Sequence, residues 1–514
     1  MRNPSELRVL PRVLPAVPVR QATLRHAEQV AVRGCRAGRS MGCCAIGLSV
    51  YAALFSGISM LGNPGYVYTH GPIVFVQGLS NYFAVPITAY LFIPFFNGLQ
   101  LTSAYEYLEL RFSLRVRLIG SCLFVVRIYL YLGQALYAPA LALEAVAGVP
   151  ILLTVLVTGG ISAGYTYHGG MRTVIWTDIM QFLVLWGGQA VLTVFAWNGV
   201  EGDPIAIARA HDRFTFFDWN LDITSDYSTF NVVVGSIPLF LVQSATDQIA
   251  VQRYLTATSV KEAQKGLWLK LLVLPFFHPL AYVCGVALFS YFHSGGRTDP
   301  VAAGAVKTAD EIMPFFAVSE MPAGLSGMLI SGILAATMST TSSGLASAST
   351  AIVTDFALRL RWTGDSGSDV ESRLALSRRV MVASSVLMVL SAWFVSQLGT
   401  QLAELSWVVN GLCGGKTSEP TFPACCSTHI ALTAPRVHRP ASGPLLGMFL
   451  LGMLSRTAEE RGAFCGVVAS SCALLVLMAS SRLCAETGSE CLAGSCCATW
   501  LGWLGRIAFF WYVL

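Results

Sequence analysis

The sequence has few charged residues for its length. Of its 514 residues only 12% are Asp, Glu, Lys or Arg, whereas 54% are hydrophobic. A soluble protein typically carries a charged fraction of about 25%. This shortage of charge argues against a soluble globular chain and indicates one that lies largely in lipid.

Sequence signatures of catalysis are also missing. The chain has no Gly-x-x-x-x-Gly-Lys phosphate loop and no Gly-x-Ser-x-Gly elbow on a predicted strand, and its cysteines lack a zinc-type spacing with histidine. These absences argue against an enzyme and against a pump driven by ATP. A net charge of +5, spread over the loops, gives no basis for expecting nucleic acid as a partner.

What the sequence does contain is a series of apolar stretches, each long enough to cross a bilayer. A spanning helix needs about 20 apolar residues, so the pattern predicts an all-α polytopic membrane protein of about 11–12 spans. The expected spans are 42–62, 73–98, 119–146, 150–167, 174–197, 231–250, 268–292, 324–357, 380–398, 444–454 and 463–481, with a partial, truncated span at 498–514.

Basic residues follow alternate spans. The loops after the second, fourth, sixth and eighth spans carry Arg and Lys, with Arg253 among those after the sixth, whereas the loop at 198–230 is mostly acidic. Because positively charged loops remain in the cytoplasm, we place the basic loops there, together with an Arg-rich tail at residues 1–40. An Arg-rich, acid-poor N-terminus is also typical of a mitochondrial transit peptide, which is the alternative for this tail.

The eighth span contains an unusual number of hydroxyl groups. Residues 335–350 read AATMSTTSSGLASAST, and nine of these sixteen are Ser or Thr. On a helix Ser339, Ser342 and Ser343 share one face, and Thr340, Ser343 and Ser347 form an overlapping stripe. Ser and Thr also allow close packing of membrane helices, which is the alternative. So many hydroxyls favour a site for a dehydrated monovalent cation.

A carboxylate lies within the fifth span. Asp178 stands about one turn inside the segment GGMRTVIWTDIMQFLVLWGG. Charged groups at such a depth are costly and are usually functional, so Asp178 is a candidate cation ligand. The alternative is an interfacial carboxylate paired with Arg172.

Two spans contain residues that interrupt helices. The first has Ser56-Gly57, Ser59 and Gly62-Asn63-Pro64, and the sixth has Gly235 and Pro238. Transporters use broken helices to bind ions and solutes at mid-membrane, and breaks five spans apart suit two inverted repeats of five helices. Two ordinary proline kinks are the alternative.

Taken together, these segments resemble the sodium:solute symporter family, which includes sodium-coupled glucose, iodide, monocarboxylate, multivitamin and sialic-acid carriers. The matching pieces occur in family order: GRSMG (38–42), LGNPGYVYTHG (61–71), YHGGMRTVIWTDIMQ (167–181), TDQIAVQRYLTATS (246–259), ILAATMSTTSSGLASASTAIVTDF (333–356) and GPLLGMFLLGML (443–454). The resemblance implies a LeuT-type fold, an inverted repeat of two five-helix units.

The resemblance also implies particular sites. The main sodium site would use the carbonyls of Ala52, Phe55 and Ala336 and the hydroxyls of Ser339 and Thr340. A second sodium site would use Asp178, Ser339, Ser342 and Ser343. For the solute cavity it implies Ser56, Ser59 and Gln243, the last of which stands near the place where sugar carriers have an aromatic inner gate.

The chain departs from the family in its C-terminal part. A proline-rich insert at residues 416–442, which contains four prolines, interrupts the predicted tenth core helix between NGLCGG (410–415) and GPLLGMFLLG (443–452). We therefore expect a tail at 1–40, a transmembrane core at 41–481 interrupted by 416–442, and a Cys-rich loop with a truncated span at 482–514.

The expected function is sodium-coupled symport of a small organic solute or anion by alternating access, at the plasma membrane. Sodium would be the coupling ion, with no other cofactor, and the protein would work as a monomer or a loose oligomer in the lipid bilayer. The alternative is a transport-inactive splice-type variant that acts as a binding or regulatory membrane protein. An ion channel is a third class, but no repeated pore ring is visible.

Overall fold

The computed structural model describes residues 40–99, 101, 103–219, 228–360, 370–397, 448–449, 451–453 and 459–468. Within these ranges the chain is helical, and its β pairing is limited to an isolated bridge between Met41 and Ala257. The predicted all-α class is therefore confirmed.

Fourteen α-helices have defined bounds in the described part of the chain. They are α1 (Cys43–Leu54), α2 (Gly57–His70), α3 (Asn81–Ile87), α4 (Ile93–Leu99), α5 (Glu106–Arg111), α6 (Leu114–Ala147), α7 (Ile151–Asn198), α8 (Pro204–Ala210), α9 (Thr229–Leu241), α10 (Gln248–Leu255), α11 (Val260–Phe292), α12 (Ile312–Ser319), α13 (Ala323–Ala351) and α14 (Val370–Gln397).

Shorter helical turns extend several of these helices. The 3₁₀ turn Pro72–Ser80 and the π turn Thr88–Phe92 join α3 and α4 into the second span. The π turns Val242–Thr246 and Ile352–Ala357 follow α9 and α13, and the 3₁₀ turn Ala309–Glu311 precedes α12.

Six helical segments in the described residues are long and apolar enough to cross a membrane. Two further pairs pass the same test as single bent spans: α1 with α2, bent by 58°, and the sixth-span helix with α10, bent by 44°. The first nine predicted spans all coincide with helix. Of the predicted spans 444–454 and 463–481 only short pieces are described, and 498–514, like the predicted insert 416–442, lies outside the described residues.

The predicted fourth and fifth spans differ from the structure in one respect. They are two helices that meet at a kink with no loop between them, described together as α7 with 48 residues. At 1.5 Å per residue the two have a combined length of about 72 Å, enough to cross a bilayer twice only because of the kink. The bend is at Gly170, whose φ of 58° and ψ of −157° interrupt the helical backbone. A residue with a Cβ atom rarely adopts such a φ, so glycine allows the bend here.

The break in the sixth span is not where the sequence analysis placed it. Helix α9 continues through Gly235 and Pro238, and the chain leaves helical geometry only at Asp247, with φ −70° and ψ 128°. Asp247 caps the next half-helix, because its Oδ1 accepts the N–H of Ile249 at 2.9 Å. A side-chain cap satisfies an otherwise unpaired N–H at a helix start, which explains why the helix breaks here and not at the proline.

Helix α13 lies at the centre of the described bundle and packs against α1, α2, α6, α7 and α14. Polar contacts fix its register against α7: Thr341 Oγ1 donates to Ser162 Oγ at 2.9 Å, and the Tyr165 hydroxyl donates to the carbonyl of Met338 at 3.0 Å. The hydroxyl-rich run therefore faces other helices rather than lipid.

Candidate cation and solute sites at the broken helices

The first break leaves backbone carbonyls without helical partners. Helix α1 ends at Leu54 and α2 begins at Gly57, and Phe55 has an extended backbone with φ −99° and ψ 94°. The N–H of Phe55 still bonds to Tyr51 O, but the carbonyls from Ala52 to Phe55 lie beyond the last regular helical donors. Carbonyls freed in this way are the oxygens that coordinate ions in transporters with broken helices.

This break lies directly against α13. A Cβ atom at Gly57 would overlap the Oγ1 atom of Thr337, so the backbone of α2 approaches α13 as closely as glycine permits. Phe55 is held from the other side by Trp186 of α7, with ring centroids 4.6 Å apart.

The five residues predicted for the main sodium site therefore lie on elements that pack together. Ala52, Phe55, Ala336, Ser339 and Thr340 are all buried. Thr340 Oγ1 donates to the carbonyl of Ala336 at 3.1 Å, so two of the predicted ligand oxygens are already adjacent. The two elements supply backbone carbonyl and hydroxyl oxygens, which are the kinds of ligand that suit a dehydrated sodium ion.

Asp178 lies in a fully buried polar cluster between four helices. Its Oδ1 accepts the hydroxyl of Ser339 at 2.7 Å, and its Oδ2 accepts the hydroxyl of Ser49 at 2.6 Å. The guanidinium of Arg253 completes the cluster: Nη2 donates to Asp178 Oδ2 at 2.8 Å, and Nε donates to Ser49 Oγ at 2.7 Å. Asp178 and Arg253 are each completely inaccessible to solvent.

The same guanidinium reaches the predicted second sodium site. Arg253 Nη2 also donates to the hydroxyl of Ser343, so it bridges two of the four residues predicted to bind that ion. Ser339 contacts Asp178 directly, whereas the hydroxyl of Ser342 turns back to the carbonyl of Ser339 at 3.1 Å. In this structure the cation at Asp178 is therefore the side chain of Arg253.

Arg253 was not predicted as the partner of Asp178. From the sequence, Arg253 was one of the basic residues expected after the sixth span, and Arg172 was the alternative partner of Asp178. Arg172 is exposed, whereas Arg253 is fully buried on α10. The sequence does contain one relevant signal, because Arg253 stands in the mainly apolar segment IAVQRYL (249–255), surroundings unlike those of a loop.

Helix α10 as a whole is buried and bonded to its neighbours. All eight of its residues are buried. Gln248 Oε1 accepts the N–H of Ala104 at 2.8 Å. Gln252 accepts the hydroxyl of Ser347 at 3.0 Å and donates to Thr350 at 3.1 Å. With Arg253, these two glutamines hold the second half of the sixth span against α13 and the loop before α5.

The predicted solute-cavity residues divide into two places. Ser56 is the N-cap of α2, where its hydroxyl accepts the N–H of Ser59 at 3.3 Å, and the two hydroxyls are also 3.3 Å apart. Gln243 is partly exposed in the π turn Val242–Thr246. Among the hydrogen bonds of the described residues, none joins Gln243 to Ser56 or Ser59.

Helix α6 connects the two breaks. It packs against α2, the half-helix that follows the first break. On the same helix, Arg127 forms a buried ion pair with Asp247 at the second break. Both second half-helices are thus tied to α6 or to a residue that α6 holds, a feature that spacing along the sequence did not reveal.

Comparison with known proteins is consistent with this architecture. Residues 35–418, more than half of the chain, match the sequence profile of the sodium:solute symporter family. The chain is 30% identical over 436 residues to the human sodium-coupled monocarboxylate transporter 1 and to the human sodium/iodide cotransporter. It is also 30% identical over 438 residues to a Drosophila melanogaster protein described as a sodium-dependent multivitamin transporter.

These alignments cover 84% of this chain but 66%, 62% and 67% of the three relatives, respectively. The chain thus spans about two thirds of the length of the curated relatives it matches. Among solved structures, a substrate-bound, outward-open sodium-coupled sialic acid symporter superposes with a TM-score of 0.72 at 24% identity, covering 95% of this chain and 92% of the other. That likeness shows the fold and confirms the predicted LeuT-type class.

The profile match over most of the chain, the relatives and the two broken helices agree with the resemblance found in the sequence motifs. The chain is a multi-pass integral membrane protein that belongs to the sodium:solute symporter family.

Proposed function

We propose that this chain is a sodium-coupled symporter that moves a small organic solute or anion by alternating access, at the plasma membrane. The observation that carries the proposal is the packing of the first helix break against the buried hydroxyls of α13. The names of its relatives, which include monocarboxylate and iodide transporters, support a small anion as the solute.

The main sodium ion would bind to the carbonyls of Ala52, Phe55 and Ala336 and the hydroxyls of Ser339 and Thr340. Because these oxygens come from α1 and α13, a bound ion would hold the two helices together at the break. Each sodium ion that enters with the membrane potential contributes about 2.3 kcal/mol per 100 mV. That energy would drive accumulation of the solute.

A second sodium ion would bind at Asp178, Ser339, Ser342 and Ser343, but only after Arg253 has moved away. The guanidinium and a sodium ion are both cations, and they would share the same carboxylate. Entry of the ion would therefore be coupled to release of α10 from α13, which is the kind of movement that opening toward the cytoplasm requires.

The solute would lie between the two breaks, near Ser56, Ser59 and Gln243. A second half-helix starts at each break, at Gly57 and at Gln248, and the N-terminus of a helix carries a partial positive charge. Two such N-termini favour an anionic group on the solute, as in other transporters with broken helices.

The test is uptake into proteoliposomes, with and without sodium, of monocarboxylates, iodide, vitamins and sugars. The protein would be measured as it stands and without residues 416–442. Ser339→Ala and Thr340→Ala should raise the sodium concentration needed for half-maximal uptake. Ser331→Ala, which alters an exposed hydroxyl on the same helix, should leave it unchanged. If folded protein of either length shows no sodium-stimulated uptake of any solute, the proposal is wrong.

A further inference from the structure

The buried charges within the described spans do not balance. Four buried cations are found there, and three of them form ion pairs with three buried aspartates. The pairs are Arg117 with Asp355, Arg127 with Asp247, and Arg253 with Asp178. Lys270 is the fourth cation, and no carboxylate in the described part of the chain lies within ion-pair distance of it.

Lys270 lies on α11, where only 3% of the residue is accessible. Its ammonium group faces two neutral side chains from two other spans. Nζ donates to Asn81 Oδ1 at 3.1 Å and lies 3.5 Å from Ser244 Oγ. The orientation of Asn81 is fixed, because its Nδ2 donates to the carbonyl of Gly78 at 3.2 Å. The second, sixth and seventh spans thus meet at this lysine.

These partners do not satisfy an ammonium group. A lysine carries three N–H donors, and two neutral oxygens accept at most two of them, one at the limit of hydrogen-bonding distance. Ser244, whose oxygen faces the lysine, has a hydroxyl hydrogen to offer in another direction. A buried charge that lacks a counter-charge is costly in a low-dielectric interior. A small anion would satisfy the remaining donors and the charge together.

The position of the cluster also favours an ion from the central cavity. Ser244 is three residues before Asp247, where the sixth span breaks. Broken spans are where transporters bind the ions and solutes that they carry. An anion could therefore reach Lys270 from the place where the solute is proposed to bind.

We propose that Lys270, Asn81 and Ser244 form a binding site for a small monovalent anion. Two experiments test this proposal, the first on the stability of the purified protein and the second on uptake. Only the second rests on the proposed symporter function. The anion is either an inorganic ion that accompanies transport or the charged group of the solute. The ammonium group of Lys270 and the polar groups beside it would bind either one in the same way.

The first arm needs no transport. The melting temperature of the purified protein is measured at constant sodium while gluconate is replaced by chloride, because a ligand that binds the folded state raises this temperature. We expect a saturable rise in the unmodified protein and none in Lys270→Met. Asn81→Asp supplies a fixed counter-charge beside the lysine and should also abolish the rise. Lys265→Met, which alters an exposed lysine on the same helix, should retain it.

The second arm is sodium-dependent uptake in chloride and in gluconate. If chloride accompanies the solute, uptake should fall roughly fivefold or more in gluconate, the lower end of usual coupling between two ligand sites. Asn81→Asp should make uptake independent of chloride. If the solute itself occupies the site, chloride should instead compete and raise KM. Either result supports the site.

The proposal is overturned if melting temperature and uptake are both indifferent to chloride and other small anions in the unmodified protein. Lys270 would then be held as a neutral amine. A protein that shows the chloride-dependent melting temperature but transports nothing would contradict the symporter function and leave the anion site standing. Asn81→Asp keeps the test decisive if Lys270→Met does not fold.

Discussion

Arg253 and Asp178 are the residues on which the interior of this protein depends most clearly. Their side chains are fully buried, and each makes hydrogen bonds to serines of α1 or α13. Breaking a buried ion pair by removing one partner typically costs 3–5 kcal/mol, because the other charge is left uncompensated. Removing both charges together avoids this cost.

Asp178→Asn and Arg253→Gln should therefore each lower the free energy of unfolding by about 3–5 kcal/mol. The melting temperature of the purified protein should fall strongly in each variant. The double variant should lose less than the sum of the two, since no unpaired charge remains. The measurement is a double-mutant cycle on thermal unfolding. Additive losses would show that the two side chains do not interact as the structure has them.

Asp310 provides a test of pH dependence outside the spans. It lies in the turn Ala309–Glu311, and burial and the neighbouring Glu311 raise its pKa from 3.8 to about 6. Because the folded-state pKa exceeds the unfolded value, the folded protein binds the proton more tightly. Stability from this group therefore increases as pH falls through 6 and is lost as pH rises through it.

Asp310→Asn, which imitates the protonated form, should raise the melting temperature at pH 7.5 and reduce its change between pH 7.5 and 5. The unmodified protein and the Asp310→Asn variant are compared at the two pH values in one buffer system. An equal pH dependence in the two proteins would mean that Asp310 does not titrate in this range.

At the residue scale, sequence reasoning identified one kind of site residue and missed another. Ser339 and Asp178 were recognisable because a hydroxyl face and a carboxylate are anomalous within apolar spans, and they do touch. Arg253 was counted among the basic residues after the sixth span, because the rule that orients spans counts arginines whether or not they are buried. Its partner, Asp178, is 75 residues away in the sequence, so a pattern of neighbouring residues cannot predict the contact.

At the scale of elements, the two broken spans share one construction. In each, a side chain at the break caps the half-helix that follows: Ser56 accepts the N–H of Ser59, and Asp247 accepts that of Ile249. Glycine and proline content predicted that both spans break. It did not predict the position of the second break, because the cap at Asp247 outweighs the proline nine residues before it.

The close approach of α2 to α13 can be tested at Gly57. Gly57→Ala should destabilise the protein by about 1–3 kcal/mol, the usual cost of overpacking, because the new methyl group would overlap Thr337. Adding Thr337→Ala should restore part of the loss in melting temperature. Gly160→Ala, at a helical position where a Cβ meets nothing within 4 Å, should be neutral or stabilising. If Gly57→Ala resembles Gly160→Ala, the break does not pack as described.

At the scale of the whole molecule, the described helices hold the sixth span to the rest of the bundle at several points. Arg127 of α6 pairs with Asp247, and the polar residues of α10 reach α13. A symporter that works by alternating access would have to release these contacts in each cycle. Sodium bound at α13 would change how readily these contacts form and break, so the affinities for sodium and for solute should depend on each other.

The most direct test is the affinity of the purified protein for its solute as a function of sodium. Coupling between ligands is reciprocal, so sodium should tighten solute binding, typically between 5-fold and 150-fold, and solute should tighten sodium binding by the same factor. Thr340→Ala should shift this dependence to higher sodium, and Ser331→Ala should not. A solute affinity that is the same with and without sodium would contradict the symport mechanism proposed for this chain.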